Sequence, residues 1–147
     1  MLWVVFTRRT ETVEHHRGQI SFPGGAEEPG DGDLTHTALR ETEEELGVRP
    51  ADVKILGPLS PIVTVTDFYV APFVGAIPQP YVFSPAEGEI AQVLEVPVGA
   101  LRDPSIKETR FLPDRDEPVL FYRHGDNVIW GATGRILAEL LEALAGG

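Results

Sequence analysis

The stretch RETEEELGV, residues 40–48, begins fifteen residues after the end of FPGG, residues 22–25. Successive side chains of a helix are rotated by about 100°. Glu41, Glu44 and Glu45 therefore share one helix face, where like charges repel by about 0.2–0.5 kcal/mol per pair. One interpretation is a solvated acidic surface. The other is a site for a hard cation such as Mg²⁺ or Mn²⁺, which prefers carboxylate and water oxygens.

The surroundings of this stretch favour the cation site. Gly24 and Gly25 follow a proline, and Asp33 is suited to cap the start of a helix that runs to about residue 46. Gly47 is a plausible helix stop. Arg40 adjoins the acids, where it can pair with a carboxylate and fix its orientation. These residues together predict an acidic helix with a defined beginning and end.

This combination resembles the Nudix box, GX5EX7REUXEEXGU, in which U is apolar. Asp31 stands where the first Glu belongs, eight residues rather than seven separate it from Arg40, and Thr42 occupies an apolar position. The core RE…EE-x-G is intact. The matching residues are Gly25, Arg40, Glu41, Glu44, Glu45, Gly47 and Val48.

The Nudix resemblance implies a metal-dependent hydrolase of diphosphates, with Mg²⁺ or Mn²⁺ as the cofactor. It places the metal ligands at Glu41, Glu44 and Glu45, with Glu44 also a catalytic candidate. Arg40 is expected to orient a glutamate. Metal ions neutralise the phosphates, orient the attacking water and stabilise the leaving oxygen.

A second, more selective resemblance lies upstream, in residues 5–10 and 18–25. It is similar to the signature of the coenzyme A diphosphatase branch of Nudix hydrolases, LLTxR(S/A), three residues, R, three residues, G, three residues, FPGG. Val5 and Phe6 replace the leucines, and Thr10 replaces Ser or Ala. Residues 129–133, IWGAT, also look like this branch. The resemblance implies cleavage of coenzyme A or its derivatives to 3′,5′-ADP and 4′-phosphopantetheine.

The chief departure from that signature is Glu14, which stands where the branch has an arginine. A carboxylate there would repel a substrate phosphate, so Arg9 or Arg17 would have to supply the positive charge. Arg8, His15 and His16 lie in the same basic stretch. The alternative interpretation of this stretch is a solvated loop. Gly24 and Gly25 are further substrate-site candidates, because glycine lets a backbone approach a metal or phosphate closely. An ordinary turn is the alternative for them.

The general base is expected in residues 84–90, SPAEGEI, which resemble the family's NPxEV segment. This alignment selects Glu89, with Glu87 as a competitor and a solvated loop as the plain alternative. A general base must reach the attacking water within hydrogen-bond distance or through one water. If neither acid acts, the base lies on the acidic helix.

The composition describes an ordinary globular chain. The 147 residues suit one domain, 1–147, with 42% hydrophobic and 24% charged residues. A net charge of −11 argues against nucleic acid as a partner, but not against a small nucleotide diphosphate bridged by a metal. No apolar run approaches the roughly 20 residues that span a bilayer, and no secretion signal is visible. With no cysteine, these features fit a cytoplasmic protein.

Short strands with one early and one terminal helix predict an α/β fold, and the resemblance implies a Nudix-type α/β/α sandwich with a mixed β-sheet. Strands are expected at residues 2–7, 19–22, 55–59, 62–65, 68–74, 90–96, 109–112, 119–123 and 128–130. One helical turn is expected at 97–102. Family members usually carry a further strand before this start. Either the start is truncated or a neighbouring subunit, in a homodimer, covers that edge.

Two other functions stay open. One is a Nudix hydrolase for a different diphosphate, such as ADP-ribose, a dinucleotide or a nucleoside triphosphate, which Glu14 leaves possible. The other is a non-catalytic nucleotide-binding Nudix domain. Loss of acids from the helix would have favoured the second, and Glu41, Glu44 and Glu45 are all present.

Overall fold

The computed structural model describes residues 1–11, 18–64 and 66–146. Its helices are α1 (Leu34–Leu46), α2 (Val98–Leu101) and α3 (Gly131–Gly146), with short 3-10 turns at Pro50–Asp52 and Pro104–Ile106. Its strands are β1 (Trp3–Arg9), β2 (Ile20–Ser21), β3 (Lys54–Pro58), β4 (Ile62–Val63), β5 (Tyr69–Val70), β6 (Phe73–Ala76), β7 (Ile90–Pro97), β8 (Lys107–Arg110), β9 (Val119–His124) and β10 (Asn127–Trp130). The α/β class is confirmed.

In the described residues the strands form two three-stranded sheets, β2-β1-β7 and β10-β9-β8, and two two-stranded sheets, β3-β6 and β4-β5. Every pairing within the described ranges is antiparallel, which differs from the expected mixed sheet. Parallel pairs need a crossover of a dozen or more residues. The long connection through α1 joins β2 to β3, and these two strands do not pair with each other.

The core lies between the β1 and β9 sheets and α3. Side chains alternate between the two faces of a strand, so Val4 and Phe6 of β1 enter this core while Thr7 and Arg9 point to the other face. Phe6 is fully buried and stacks on Phe22, with ring centroids 4.8 Å apart. The other core members are Ile20, Leu94, Val96, Val98, Leu101, Tyr122, Ile129 and Leu137.

Helix α1 forms where its end signals predict it. The Asp33 side chain accepts a hydrogen bond from the His36 amide, and Gly47 ends the helix in the left-handed conformation at φ 71°. Thr42, which stands at an apolar position of the box, satisfies its hydroxyl by donating to the Ala38 carbonyl at 2.7 Å. Leu46 is fully buried, whereas Thr42 is half-buried, so the side of α1 that carries them is partly exposed.

The predicted strand at 68–74 is divided into β5 and β6. Ala71 and Pro72 separate them, and proline has no amide hydrogen for a ladder. The turn at Gly125 and Asp126 joins β9 to β10. Within the described ranges, no helix has the length and apolar character needed to cross a membrane.

Candidate active site

Arg40 is the centre of a charged network in the middle of α1. Its Nη1 lies 3.1 Å from both Glu41 Oε1 and Glu44 Oε2. Its Nη2 donates to the Ala26 carbonyl at 2.9 Å, and its Nη1 lies 3.5 Å from Glu28. Arg40 therefore connects the loop after the glycines to two of the three predicted metal ligands.

Asp31 is a structural residue whose role the sequence reasoning missed. It is 5% exposed and receives two hydrogen bonds from Arg40. It also accepts from the Glu28 amide and the Thr37 hydroxyl, each at 2.8 Å. The Arg40 hydrogen bonds, followed by that from the Glu28 amide, hold the pKa of Asp31 well below its usual range. The sequence did contain a signal for this role, because Asp31 is an acid at the first glutamate position of the Nudix box.

Glu45 joins three separate segments at one buried side chain. It is 5% exposed, and its Oε2 accepts from the Gly24 amide at 2.7 Å. Its Oε1 lies 3.8 Å from Arg9 Nη1 at the end of β1. Burial raises the pKa of Glu45 to about 7, and the charges of Glu41 and Glu89 act in the same direction. The acidic helix, the FPGG turn and β1 thus meet here.

The two glycines of that turn play different parts. A Cβ on Gly25 would stand 2.5 Å from the Glu41 carboxyl group, so the backbone comes as close to this acid as a glycine allows. A Cβ on Gly24 would meet nothing within 4 Å, and its contribution is the amide that binds Glu45. Burial raises the pKa of Glu41 above its usual value.

Residues 84–89 are docked on the end of α1. The Ala86 amide donates to the Glu45 carbonyl and the Ser84 amide to the Leu46 carbonyl, both at 2.8 Å. The Glu89 carbonyl accepts from the Thr10 amide at 2.9 Å. Glu89 and Glu87 are both exposed, and the charge of Glu89 contributes to the raised pKa of Glu45. The Glu89 carboxylate therefore lies close enough to Glu45 for the two charges to interact.

Of the predicted substrate cations, Arg9 lies at this site and Arg17 falls outside the described residues, as do Glu14, His15 and His16. The Arg9 side chain is 25% exposed. Arg8 points to the opposite face of β1 and donates a hydrogen bond to the Asn127 side chain. The Nε atoms of both arginines are buried and have no hydrogen-bond partner among the residues that the structure describes.

The comparisons with known proteins define the class. A family model described as the NUDIX domain matches residues 3–120. The chain therefore belongs to the Nudix family, and the hydrolases of this family act on pyrophosphate bonds with divalent metal ions.

The chain is similar to proteins named Nudix hydrolase NudL. That of Citrobacter koseri is 36% identical over 149 residues, covering 93% of this chain and 72% of that protein. That of Pectobacterium atrosepticum is 34% identical over 143 residues, with the same coverage.

Solved structures share the fold. A Caenorhabditis elegans Ap4A hydrolase matches with a TM-score of 0.64 and 15% identity, over 99% of this chain and 89% of that one. A MutT/nudix family protein from Enterococcus faecalis matches with a TM-score of 0.59 and 13% identity, over 97% of this chain and 55% of that one. At these identities the likeness concerns the fold alone.

The donor set fits a hard divalent cation in its chemistry. Glu41 and Glu45 are carboxylates largely removed from water, and the charge of Glu41 raises the cost of ionising Glu45, which a cation would relieve. In the part of the chain described here, no three Asp, Glu or His side chains converge closely enough to hold a metal ion between them. Instead Glu44 is directed to Arg40 and Glu45 to the Gly24 amide.

Proposed function

We propose that this protein is a Mg²⁺- or Mn²⁺-dependent diphosphatase that cleaves coenzyme A or its derivatives to 3′,5′-ADP and 4′-phosphopantetheine. The observation that carries the proposal is the position of Glu45. This acid of the Nudix helix binds the Gly24 amide and faces Arg9, and both partners belong to the coenzyme A diphosphatase signature. Residues of the Nudix box and residues of the coenzyme A diphosphatase signature therefore meet at one site.

The proposed roles follow from these contacts. Glu41, Glu44 and Glu45 would hold the metal ion, which when bound neutralises the diphosphate and stabilises the leaving oxygen. Arg40 keeps Glu41 and Glu44 oriented. Glu89 takes a proton from the attacking water while the oxygen of that water bonds to phosphorus. The P–O bond of the diphosphate bridge then breaks, and the bridging oxygen leaves with the other phosphate.

Arg9 is the proposed cation for a substrate phosphate. A compact phosphate dianion held against protein requires a charged hydrogen-bond donor. Arg9 is partly exposed beside Glu45, so its guanidinium is accessible to a phosphate from solvent. Arg17 is the second candidate from the sequence. We therefore expect coenzyme A, which carries a 3′-phosphate, to be cleaved in preference to dephospho-coenzyme A.

The test is product analysis with coenzyme A, dephospho-coenzyme A, ADP-ribose and a dinucleotide polyphosphate, each with Mg²⁺ and Mn²⁺. Coenzyme A should have the highest kcat/KM, and chelator should abolish its cleavage. Arg9→Ala should narrow the gap between coenzyme A and dephospho-coenzyme A. A large preference for ADP-ribose or the dinucleotide would assign the protein to another substrate class within the family. Metal and nucleotide binding without turnover would favour the non-catalytic domain.

A further inference from the structure

The segment that carries Glu89, residues 84–89, caps the C-terminal end of α1. The last carbonyls of a helix have no partner within it. Here the Leu46 and Glu45 carbonyls accept from the Ser84 and Ala86 amides. Glu45 is therefore held twice, through its carbonyl by the segment 84–89 and through its carboxylate by the Gly24 amide. A shift of this segment would therefore change the positions of Glu45 and Glu89 together.

A tyrosine fixes the beginning of the same segment. The Tyr81 hydroxyl donates to Asp52 Oδ2 at 2.7 Å and accepts from the Arg49 amide at 3.0 Å. Asp52 belongs to the 3-10 turn that directly follows α1, and its own amide donates to the Arg49 carbonyl. The Tyr81 ring also contacts the Phe83 ring, with centroids 5.5 Å apart. One hydroxyl thus connects the segment to the backbone and to a carboxylate just beyond α1.

The far end of the segment is attached to β1. Thr10 donates from its amide to the Glu89 carbonyl at 2.9 Å and from its hydroxyl to the Gly88 carbonyl at 2.8 Å. At this end of the segment the Glu89 side chain is exposed, and its charge acts on Glu45. The segment is thus attached at the Thr10 end to the residue after β1 and at the Tyr81 end to the turn after α1.

We propose that Tyr81 and Asp52 are positioning residues, which hold residues 84–89 on the end of α1 and so keep the Glu89 carboxylate beside Glu45. The consequence for turnover rests on the function proposed above, since Glu89 is there the general base. The attachment itself does not depend on the substrate. Neither residue touches the reacting atoms in this role, because they lie at the opposite end of the segment from Glu89.

The first experiment measures amide hydrogen exchange in the whole protein without substrate. Tyr81→Phe removes the hydroxyl and keeps the ring. A hydrogen bond to a charged group is strong enough that the Ser84 and Ala86 amides should exchange about tenfold faster. Amides of the β1–β7 ladder should not change. Tyr69→Phe, at an exposed tyrosine, is the matched control. Unchanged exchange at Ser84 and Ala86 in Tyr81→Phe would overturn the attachment.

The second experiment measures kcat and KM with the substrate that the panel selects. Tyr81→Phe and Asp52→Ala should each lower kcat about tenfold with little change in KM, and the double variant should be no worse than either. In a Glu89→Gln background, Tyr81→Phe should have no further effect on kcat. Faster exchange with unchanged kcat, or an equal loss in both backgrounds, would overturn the positioning role. If no diphosphate is hydrolysed, the proposed function fails while the exchange result still decides the attachment.

Discussion

Arg40 donates two parallel hydrogen bonds to Asp31, from Nε to Oδ1 at 2.8 Å and from Nη2 to Oδ2 at 3.1 Å. Paired bonds of this kind fix the plane of the guanidinium as well as its position. The remaining nitrogen, Nη1, then lies between Glu41 and Glu44. An acid that departs from the Nudix box by residue type and spacing therefore sets the orientation of the cation that serves the predicted metal ligands.

Asp31 should make stability depend on acid pH. Its folded-state pKa is depressed, chiefly by Arg40, so its contribution is present above its unfolded pKa of about 3.9 and is lost as the pH falls below that value toward the folded pKa. The free energy of unfolding in urea should fall more steeply below about pH 4 for the wild type than for Asp31→Asn. The exposed Asp114→Asn should follow the wild type. Parallel curves for Asp31→Asn and wild type would contradict the assignment.

Glu44 and Glu45 should be needed for turnover, whereas Glu43 on the same helix should not. Glu44→Gln and Glu45→Gln each remove a proposed metal ligand, so kcat should fall by orders of magnitude while the circular dichroism spectrum is kept. Glu43 is exposed and lies off the shared face, so Glu43→Gln is the control. Metal titration should show weaker Mn²⁺ binding in the two active-site variants alone. Full activity in Glu44→Gln or Glu45→Gln would show that the replaced glutamate is not a required metal ligand.

Gly25 and Gly24 form a matched pair for testing the close approach to Glu41. In Gly25→Ala the new methyl group would meet the Glu41 carboxyl group at 2.5 Å, and the flexible acid must move. Activity should therefore fall although the melting temperature changes little. Gly24→Ala adds a methyl group where nothing lies within 4 Å and keeps the amide that binds Glu45. The order of the two effects on kcat/KM decides the point, and a greater loss in Gly24→Ala would refute it.

Glu89 should contribute to the proton transfer more than Glu87. General-base residues typically contribute about 10²–10⁴-fold, so Glu89→Gln should lower kcat by roughly 100-fold or more with a smaller change in KM. Glu87→Gln is the neighbouring control, and its effect should be smaller because the family's NPxEV segment aligns its glutamate with Glu89, whose charge acts on Glu45. The measurement is steady-state kinetics of both variants at saturating metal. The reverse order would show that the segment was misaligned, and two silent variants would place the base on α1.

The sequence by itself determined the features that depend on near neighbours. Asp33 and Gly47 set the ends of α1, helical periodicity put the acids on a common face, and the turn at residues 125–126 closed the β9–β10 hairpin. Capping, turn formation and side-chain periodicity all act within a few residues. For this reason the helix and most strands were predicted within a few residues of their observed bounds, although the pairing of the strands was not.

Only the tertiary structure decided which partners these elements bring together. Gly24 and Glu45 are separated by 21 residues, and the amide of one meets the carboxylate of the other only because the chain returns over α1. Arg9 and Glu89 reach the same acid from β1 and from the segment after β6. Burial of Glu45 and the raised pKa that follows from it are products of that convergence. Such contacts depend on how sheets and helices pack, and local sequence pattern does not encode the direction in which a packed chain returns.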